Sequence, residues 1–282
     1  MRLARRSVGD LFVYLFLIIM LIIALFPIFY GVMGSFKSNM DFITGDGGLI
    51  PSTWHLENYV QAWQEANFSR YTINSVIITA LAIIGSLIMT SMAGYVFARS
   101  EFPGKKFIMG AFLATMFLAT GTITIFPTFS IVKALHLNGS IFGMVIVYVF
   151  SVNVANIYLT MGYIKGIPKE IDEAAAMDGC GFFKTYLFIL MPMCLPILAT
   201  IALLVFKATW NDYMMPMVFS LSNDNIKTLT VGVTSLASSG AGSSAYNLML
   251  AGTAIALIPQ IIFYLFTSKF FISGITVGAV KG

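Results

Sequence analysis

The sequence predicts an all-α integral membrane protein with six transmembrane helices and both termini on the cytoplasmic side. Three observations predict it. Of the 282 residues, 58% are hydrophobic and only 10% are charged, whereas soluble domains carry about 25% charge; the mean hydropathy is +0.88. The charges sit in short intervals between apolar runs of membrane-spanning length. Lys and Arg are divided unevenly between alternate intervals, which orients the chain. The same composition excludes other classes. The net charge of +4 comes from loop residues, not from a nucleic-acid surface. Cys180 and Cys194 lack C-x-x-C spacing and read as reduced thiols outside any metal site. His55 and His136 are isolated. Gly104-Lys105-Lys106 lacks the upstream glycine and the hydroxyl of a phosphate-binding loop. No cofactor is expected on this chain, and any ATP would be bound by another subunit.

Residues 1–10 form a cytoplasmic amino terminus carrying Arg2, Arg5 and Arg6. The first span, 11–36, is too long for a signal-peptide core and lacks a small-residue cleavage site. Residues 37–70 form a polar outer loop. Within it Leu56, Tyr59, Val60 and Trp63 recur at helical spacing, and Trp54 and Trp63 suit the headgroup level. That stretch is an interfacial anchor or a contact for an external partner. The second span is 71–98, followed by a turn around Pro103-Gly104. The third, 107–132, has a middle rich in Thr and Gly (Thr120, Gly121, Thr122, Thr124) and contains Pro127. Such a helix packs on protein or a cavity, because lipid cannot satisfy freed backbone groups. The fourth span, 141–164, carries Asn153 and Asn156; the fifth, 192–221, holds Lys207, Asn211 and Asp212. A loop rich in Ser, Gly and Asn precedes the sixth, 248–271, which is broken at Pro259-Gln260. A cytoplasmic tail, 272–282, ends the chain. With the amino terminus inside, the inner segments hold Arg2, Arg5, Arg6, Arg99, Lys105, Lys106, Lys165, Lys169, Lys184, Lys269 and Lys281, and the outer loops only Lys37, Arg70, Lys133 and Lys227.

The inner loop 167–191 is the most informative interval. Pro168 opens a short helix, 168–178, whose first turns are crowded with Lys169, Glu170, Asp172 and Glu173. Ile171, Ala174, Ala175 and Asp178 share one face at i, i+3, i+4, i+7, and alanine makes that face slim enough for a partner's groove. Gly179 lets the chain turn back, and Phe182, Phe183 and Tyr186 anchor it to the membrane interface. An ordinary interfacial helix between spans would share this composition.

One string is more specific. Glu173-Ala174-Ala175, three residues, Gly179, nine residues, Ile189, one residue, Met191-Pro192 resembles the EAA loop of ABC-importer permeases, with Met191 where leucine is usual. Trp210-Asn211-Asp212-Tyr213 with Pro216 resembles a motif in the fifth span of carbohydrate-type permeases. Pro51 followed by Leu56-Glu57-Asn58-Tyr59 is similar to their first outer loop, and Gly278-Ala279-Val280-Lys281-Gly282 to their tail. The kind most resembled is the shorter, six-span partner of a maltose-type permease pair, in the type I importer architecture of a bacterial or archaeal cytoplasmic membrane.

The resemblance implies a permease subunit of an ATP-driven sugar importer, and no enzyme. It implies a second, homologous permease in a heterodimer, two ATP-binding cassette subunits that hold ATP and Mg, an extracytoplasmic solute-binding protein and a carbohydrate substrate. Glu173, Ala174, Ala175, Asp178 and Gly179 would form the ATPase contact, joined by Lys281 of the tail. The substrate path would draw on Asn153, Asn156, Tyr158, Lys207, Trp210, Asn211 and Asp212. A charge at Lys207 costs about 2.5–3.5 kcal/mol on insertion scales and so faces a partner or a wet cavity. The amides suit sugar hydroxyls, and Tyr158 and Trp210 could stack on sugar faces. Hydrogen bonding between helices serves these residues equally well. A secondary transporter or channel subunit would also have six spans, but would not need the EAA spacing.

Overall fold

The computed structural model describes residues 8–45, 48–65, 67–118, 121–151, 153–237 and 245–279. Arg2, Arg5, Arg6, Thr120 and Lys281 lie outside them. Among the described residues all regular structure is helical: α1 (Val8–Gly34), α2 (Asn39–Thr44), α3 (Glu57–Glu65), α4 (Phe68–Arg99), α5 (Lys105–Met116), α6 (Ile125–Ala134), α7 (Ile141–Phe150), α8 (Val154–Lys165), α9 (Glu170–Met177), α10 (Phe182–Thr185), α11 (Met191–Met193), α12 (Leu195–Trp210), α13 (Met214–Ser220), α14 (Leu229–Leu236) and α15 (Tyr246–Ala279). Three helices are long and apolar enough to cross a membrane alone: Asp10–Gly34, Phe68–Arg99 and Tyr246–Ser268. Three bent pairs qualify when each is taken as one span: Lys105–Met116 with Gly121–Ala134, Ile141–Phe150 with Val154–Lys165, and Phe182–Met193 with Leu195–Trp210. The total is then six.

The last pair shows why a span breaks. A π-helical turn, Tyr186–Leu190, joins α10 to α11, and the chain bends by 79° between Met193 and Leu195. Pro192 and Pro196 flank the bend, each lacking the amide that would continue the ladder. Helix therefore begins at Phe182, ten residues before the expected fifth span at 192, and pauses at Asn211–Tyr213 before α13.

The chain divides into two compact units, Met1–Phe68 with Gly232–Leu257, and Ser69–Val231 with Ile258–Gly282. In the first, polar groups close the knot after α1. The buried Asn58 amide donates to the carbonyls of Ser35 (2.8 Å) and Lys37 (2.9 Å). Its oxygen accepts from Asn247 (3.0 Å) in the first turn of α15. One asparagine thus ties together the end of α1, α3 and α15. The buried face of α3 is Asn58 and Ala62, which leaves Leu56, Val60 and Trp63 exposed. Of the face that periodicity picked out, Tyr59 alone turns inward, its hydroxyl 2.7 Å from Ser35 Oγ and its ring against Phe36. In its most apolar 18-residue stretch α1 has no buried residue.

In the second unit α4 packs through small residues. A Cβ on Gly85 would sit 2.4 Å from Val149, and one on Gly94 would sit 2.7 Å from Thr160. Between apolar helices there is little hydrophobic driving force in a bilayer, so close backbone approach supplies the packing. Ile78, Val132, Met144, Val147 and Phe219 form one core cluster. Tyr95, Ile164, Ile167, Tyr186, Leu190 and Leu198 form another. Gly94→Ala is expected to cost about 1–3 kcal/mol through overpacking. Gly162→Ala, where no atom lies within 4 Å of the new Cβ, is expected to leave stability unchanged or slightly raised. Thermal unfolding of the two purified variants in detergent checks the contrast.

Candidate functional site

Helix α9 is built by its two ends. Glu170, Asp172 and Glu173 occupy its first turn, where carboxylates are favoured by the helix dipole. At the other end the Gly179 amide bonds to Ala176 O (3.0 Å) and the Cys180 amide to Ala175 O (2.9 Å). These are the paired bonds of a Schellman cap. They require Gly179 at φ +80°, a left-handed conformation that costs other L-residues roughly 1–2 kcal/mol. No neighbour lies within 4 Å of a Cβ there, so backbone conformation alone selects the glycine.

The helix faces differ from the sequence expectation. Ala175 is buried and Ile171 packs against the Tyr95–Leu190 cluster. Ala174 and Asp178 are exposed. The free face is Glu170, Glu173, Ala174 and Met177, at i, i+3, i+4, i+7. Met177 is 90% exposed, and sequence reasoning passed over it as one more apolar residue. Beneath the helix, Arg99 at the end of α4 donates from Nη2 to Ile167 O (2.9 Å), and its Nε lies 2.9 Å from Asp172 Oδ2. That second contact is an ion pair without hydrogen-bond alignment. Beside it, Lys105 bonds to exposed Glu101 (2.8 Å), and this bond holds the Glu101 carboxyl below the usual carboxylate range. Tyr95, Arg99, Lys169, Asp172, Glu173 and Phe182 are among the residues lining a pocket of about 330 Å³ along the helix.

The expected substrate-path residues separate. Asn153 and Asn156 line a pocket of about 130 Å³ with Ser86, Thr90, Tyr148 and Thr209. Asn153 also caps α8, accepting from Ala155 N (3.0 Å). Asp212 accepts from Tyr148 Oη (2.8 Å) and so joins α7 to the break before α13. Tyr158 donates to Met109 O (3.1 Å), tying α8 to α5. Trp210 is buried, stacked on Phe206, which stacks in turn on Phe263 (4.1 Å). Asn211 bonds to Lys207 O (2.9 Å) and Gln260 (3.2 Å). Lys207 is exposed. The pocket is smaller than the roughly 300–1,000 Å³ of small-molecule sites. Tyr148, which lines it, was hidden in the run Val145-Ile146-Val147-Tyr148-Val149.

The chain is 34% identical over 275 residues to a probable ABC transporter permease protein, YurM, of Bacillus subtilis (strain 168), covering 98% of this chain and 90% of that protein. The chain belongs to the carbohydrate ABC-importer permease family. Within that family it is 31% identical to the arabinooligosaccharides transport system permease AraQ of Halalkalibacterium halodurans, covering 92% of each chain. A chain in the crystal structure of a bacterial ABC transporter involved in the import of the acidic polysaccharide alginate superposes with a TM-score of 0.80 at 25% identity, covering 96% of this chain and 99% of that one. No protein-family model matches the chain. It is a multi-pass membrane subunit of an ATP-driven sugar importer, and such permeases work with ATPase and binding-protein partners. Tyr148→Phe in this permease removes the donor to Asp212; the expected cost is about 1–3 kcal/mol, read as a lower unfolding temperature in detergent.

Proposed function

We propose that this permease contributes half of an oligosaccharide pathway and takes its drive from an ATPase subunit docked on α9. The observation that carries the reading is the free face Glu170, Glu173, Ala174 and Met177 on a helix fastened from behind. A lone apolar side chain 90% exposed among carboxylates suits a cleft that offers an apolar socket and basic or amide donors. Ala174 permits close approach, and Asp178 and Gly179 hold the return of the chain. The positive-inside distribution of Lys and Arg favours placing this loop, both termini and Lys281 in the cytoplasm. The partners are a second, homologous permease, two ATP-binding cassette subunits that hold ATP and Mg, and an extracytoplasmic solute-binding protein. ATP hydrolysis belongs to the partners, and this chain binds no cofactor. When the ATPases close, α9 moves with them and the cavity changes sides, a differential contact between two states.

The small pocket beside Asn156 fits a shared site, completed by the other permease. Arabinooligosaccharide and alginate systems among the similar proteins favour a chain of sugars over a monosaccharide. Asn153, Asn156, Lys207 and Asn211 remain the proposed contacts with solute or with wet surface, whereas Tyr158, Trp210 and Asp212 hold the frame that positions them.

Two measurements test this. Met177→Asp or Glu173→Lys is expected to lower recovery of the ATPase with the solubilised permease by about tenfold or more; recovery at the unmodified level sinks the docking reading. Gly179→Pro removes the amide bonded to Ala176 and forbids φ +80°. It is expected to abolish uptake while the protein stays inserted. Alanine at Lys207 or Asn211 with unchanged uptake would strike that residue from the path.

A further inference from the structure

Three residues on one stripe of α4, at i, i+4 and i+8, reach the loop that contains α9. Arg99 holds the start of the loop, through Ile167 O and Asp172. Tyr95 holds its return: the ring stacks on Phe182 (4.3 Å) and Tyr186 (5.4 Å), and the hydroxyl donates to Phe182 O (3.3 Å). Ser91 shares a hydrogen bond with the Tyr186 hydroxyl (2.7 Å). The Arg99 side chain is 7% exposed and that of Asp172 is 22% exposed, so this pair is not a solvated surface contact. Directly before Ser91 in the same helix, Ser86, Met89 and Thr90 line the polar pocket that also holds Asn153 and Asn156. One continuous helix therefore touches the loop at one end and the pocket further along.

We propose that Arg99 and Asp172 are positioning residues that couple α9 rigidly to α4, so that displacement of α9 is delivered to the pocket through α4 rather than through the bent helix that follows the loop. The proposal rests on the reading of α9 as the ATPase contact. The path after the loop contains a π-helical turn and a 79° bend, features that absorb displacement. The path through α4 has no break between Phe68 and Arg99. A helix transmits motion only if it is gripped at both contacts, and the buried guanidinium, joined to a backbone carbonyl and a carboxylate on opposite sides of Pro168 and Lys169, supplies that grip.

The test uses the assembled transporter with its ATPase subunits. Cys180 and Cys194 are replaced by serine, and Ser86→Cys serves as a reporter in the pocket. Its labelling rate with a small charged thiol reagent is measured with and without MgATP and orthovanadate. In the parent chain the trapped state is expected to change the rate. Arg99→Gln and Asp172→Asn are expected to shrink that change by about tenfold while the ATPase co-purifies in parent amounts. Combining Arg99→Asp with Asp172→Arg remakes the ion pair but not the donor to Ile167 O, and is expected to recover only part of the change while the unfolding temperature returns toward that of the parent. A change of parent size in both single variants overturns the proposal, as does a parent chain whose Ser86→Cys rate is indifferent to trapping. Variants that insert but no longer hold the ATPase would assign the pair to docking and also overturn it. Failure of the parent chain to retain any ATPase would instead sink the underlying docking reading.

Discussion

The loop that carries α9 depends on a buried guanidinium. Helix α9 has eight residues, and isolated helices shorter than about 12–15 residues are marginal in water. Its Schellman cap, the buried Ala175 and the partly buried Ile171 fix its end and its inner face. Tyr95 and Arg99 of α4 hold the loop to the rest of the unit, Tyr95 against Phe182 and Tyr186, and Arg99 with one nitrogen on Ile167 O and another beside Asp172. Removing one partner of a buried pair leaves the other charge uncompensated, at a cost of about 3–5 kcal/mol. The arrangement is therefore sensitive to either residue, although neither belongs to the Glu-Ala-Ala string. A lysine in place of Arg99 would carry the charge but could not place one nitrogen on Ile167 O and another beside Asp172.

Elsewhere polar groups do the organising that hydrophobic contrast does in a soluble protein. Asn58 joins three segments of one unit with three hydrogen bonds. In the other unit, Tyr148 and Asp212 bridge α7 and the break after α12, and Asn74 donates to the carbonyls of Asn225 and Lys227 (2.8 and 2.9 Å). The Tyr148–Asp212 pair, inside the expected fourth and fifth spans, satisfies groups that lipid could not. The small residues Gly85 and Gly94 let α4 approach Val149 and Thr160 closely.

The helices were legible in the sequence because a bilayer demands long apolar runs, and loop 167–191 was legible because spacing survives without knowledge of contacts. The facing of side chains was not. In a membrane both the packed and the lipid-facing sides of a helix are apolar, so periodicity carries little contrast. That is why Gly85 and Gly94 went unnoticed. In and beside α3 the pattern residues Leu56, Val60 and Trp63 are exposed and Tyr59 is half-buried, while Asn58, with three buried hydrogen bonds, lies on the inward face. Trp210 looked like a sugar platform, yet it completes a ring stack with Phe206. Arg99 was visible only as a loop cation, since its partners lie 68 and 73 positions further along the chain.

These two levels meet in α4. The helix is 32 residues long, roughly 48 Å at about 1.5 Å per residue, which exceeds a hydrocarbon core of about 30 Å. Its last three turns carry Ser91, Tyr95 and Arg99, which bind the loop; directly before Ser91 stand Ser86, Met89 and Thr90, which line the pocket. A span cut at 98 by hydropathy alone stops just short of the residue that holds the loop. The excess length is thus not slack but the part of the helix that leaves the apolar run and acquires polar partners. A shorter second span would cross the bilayer equally well and would leave α9 without its anchor.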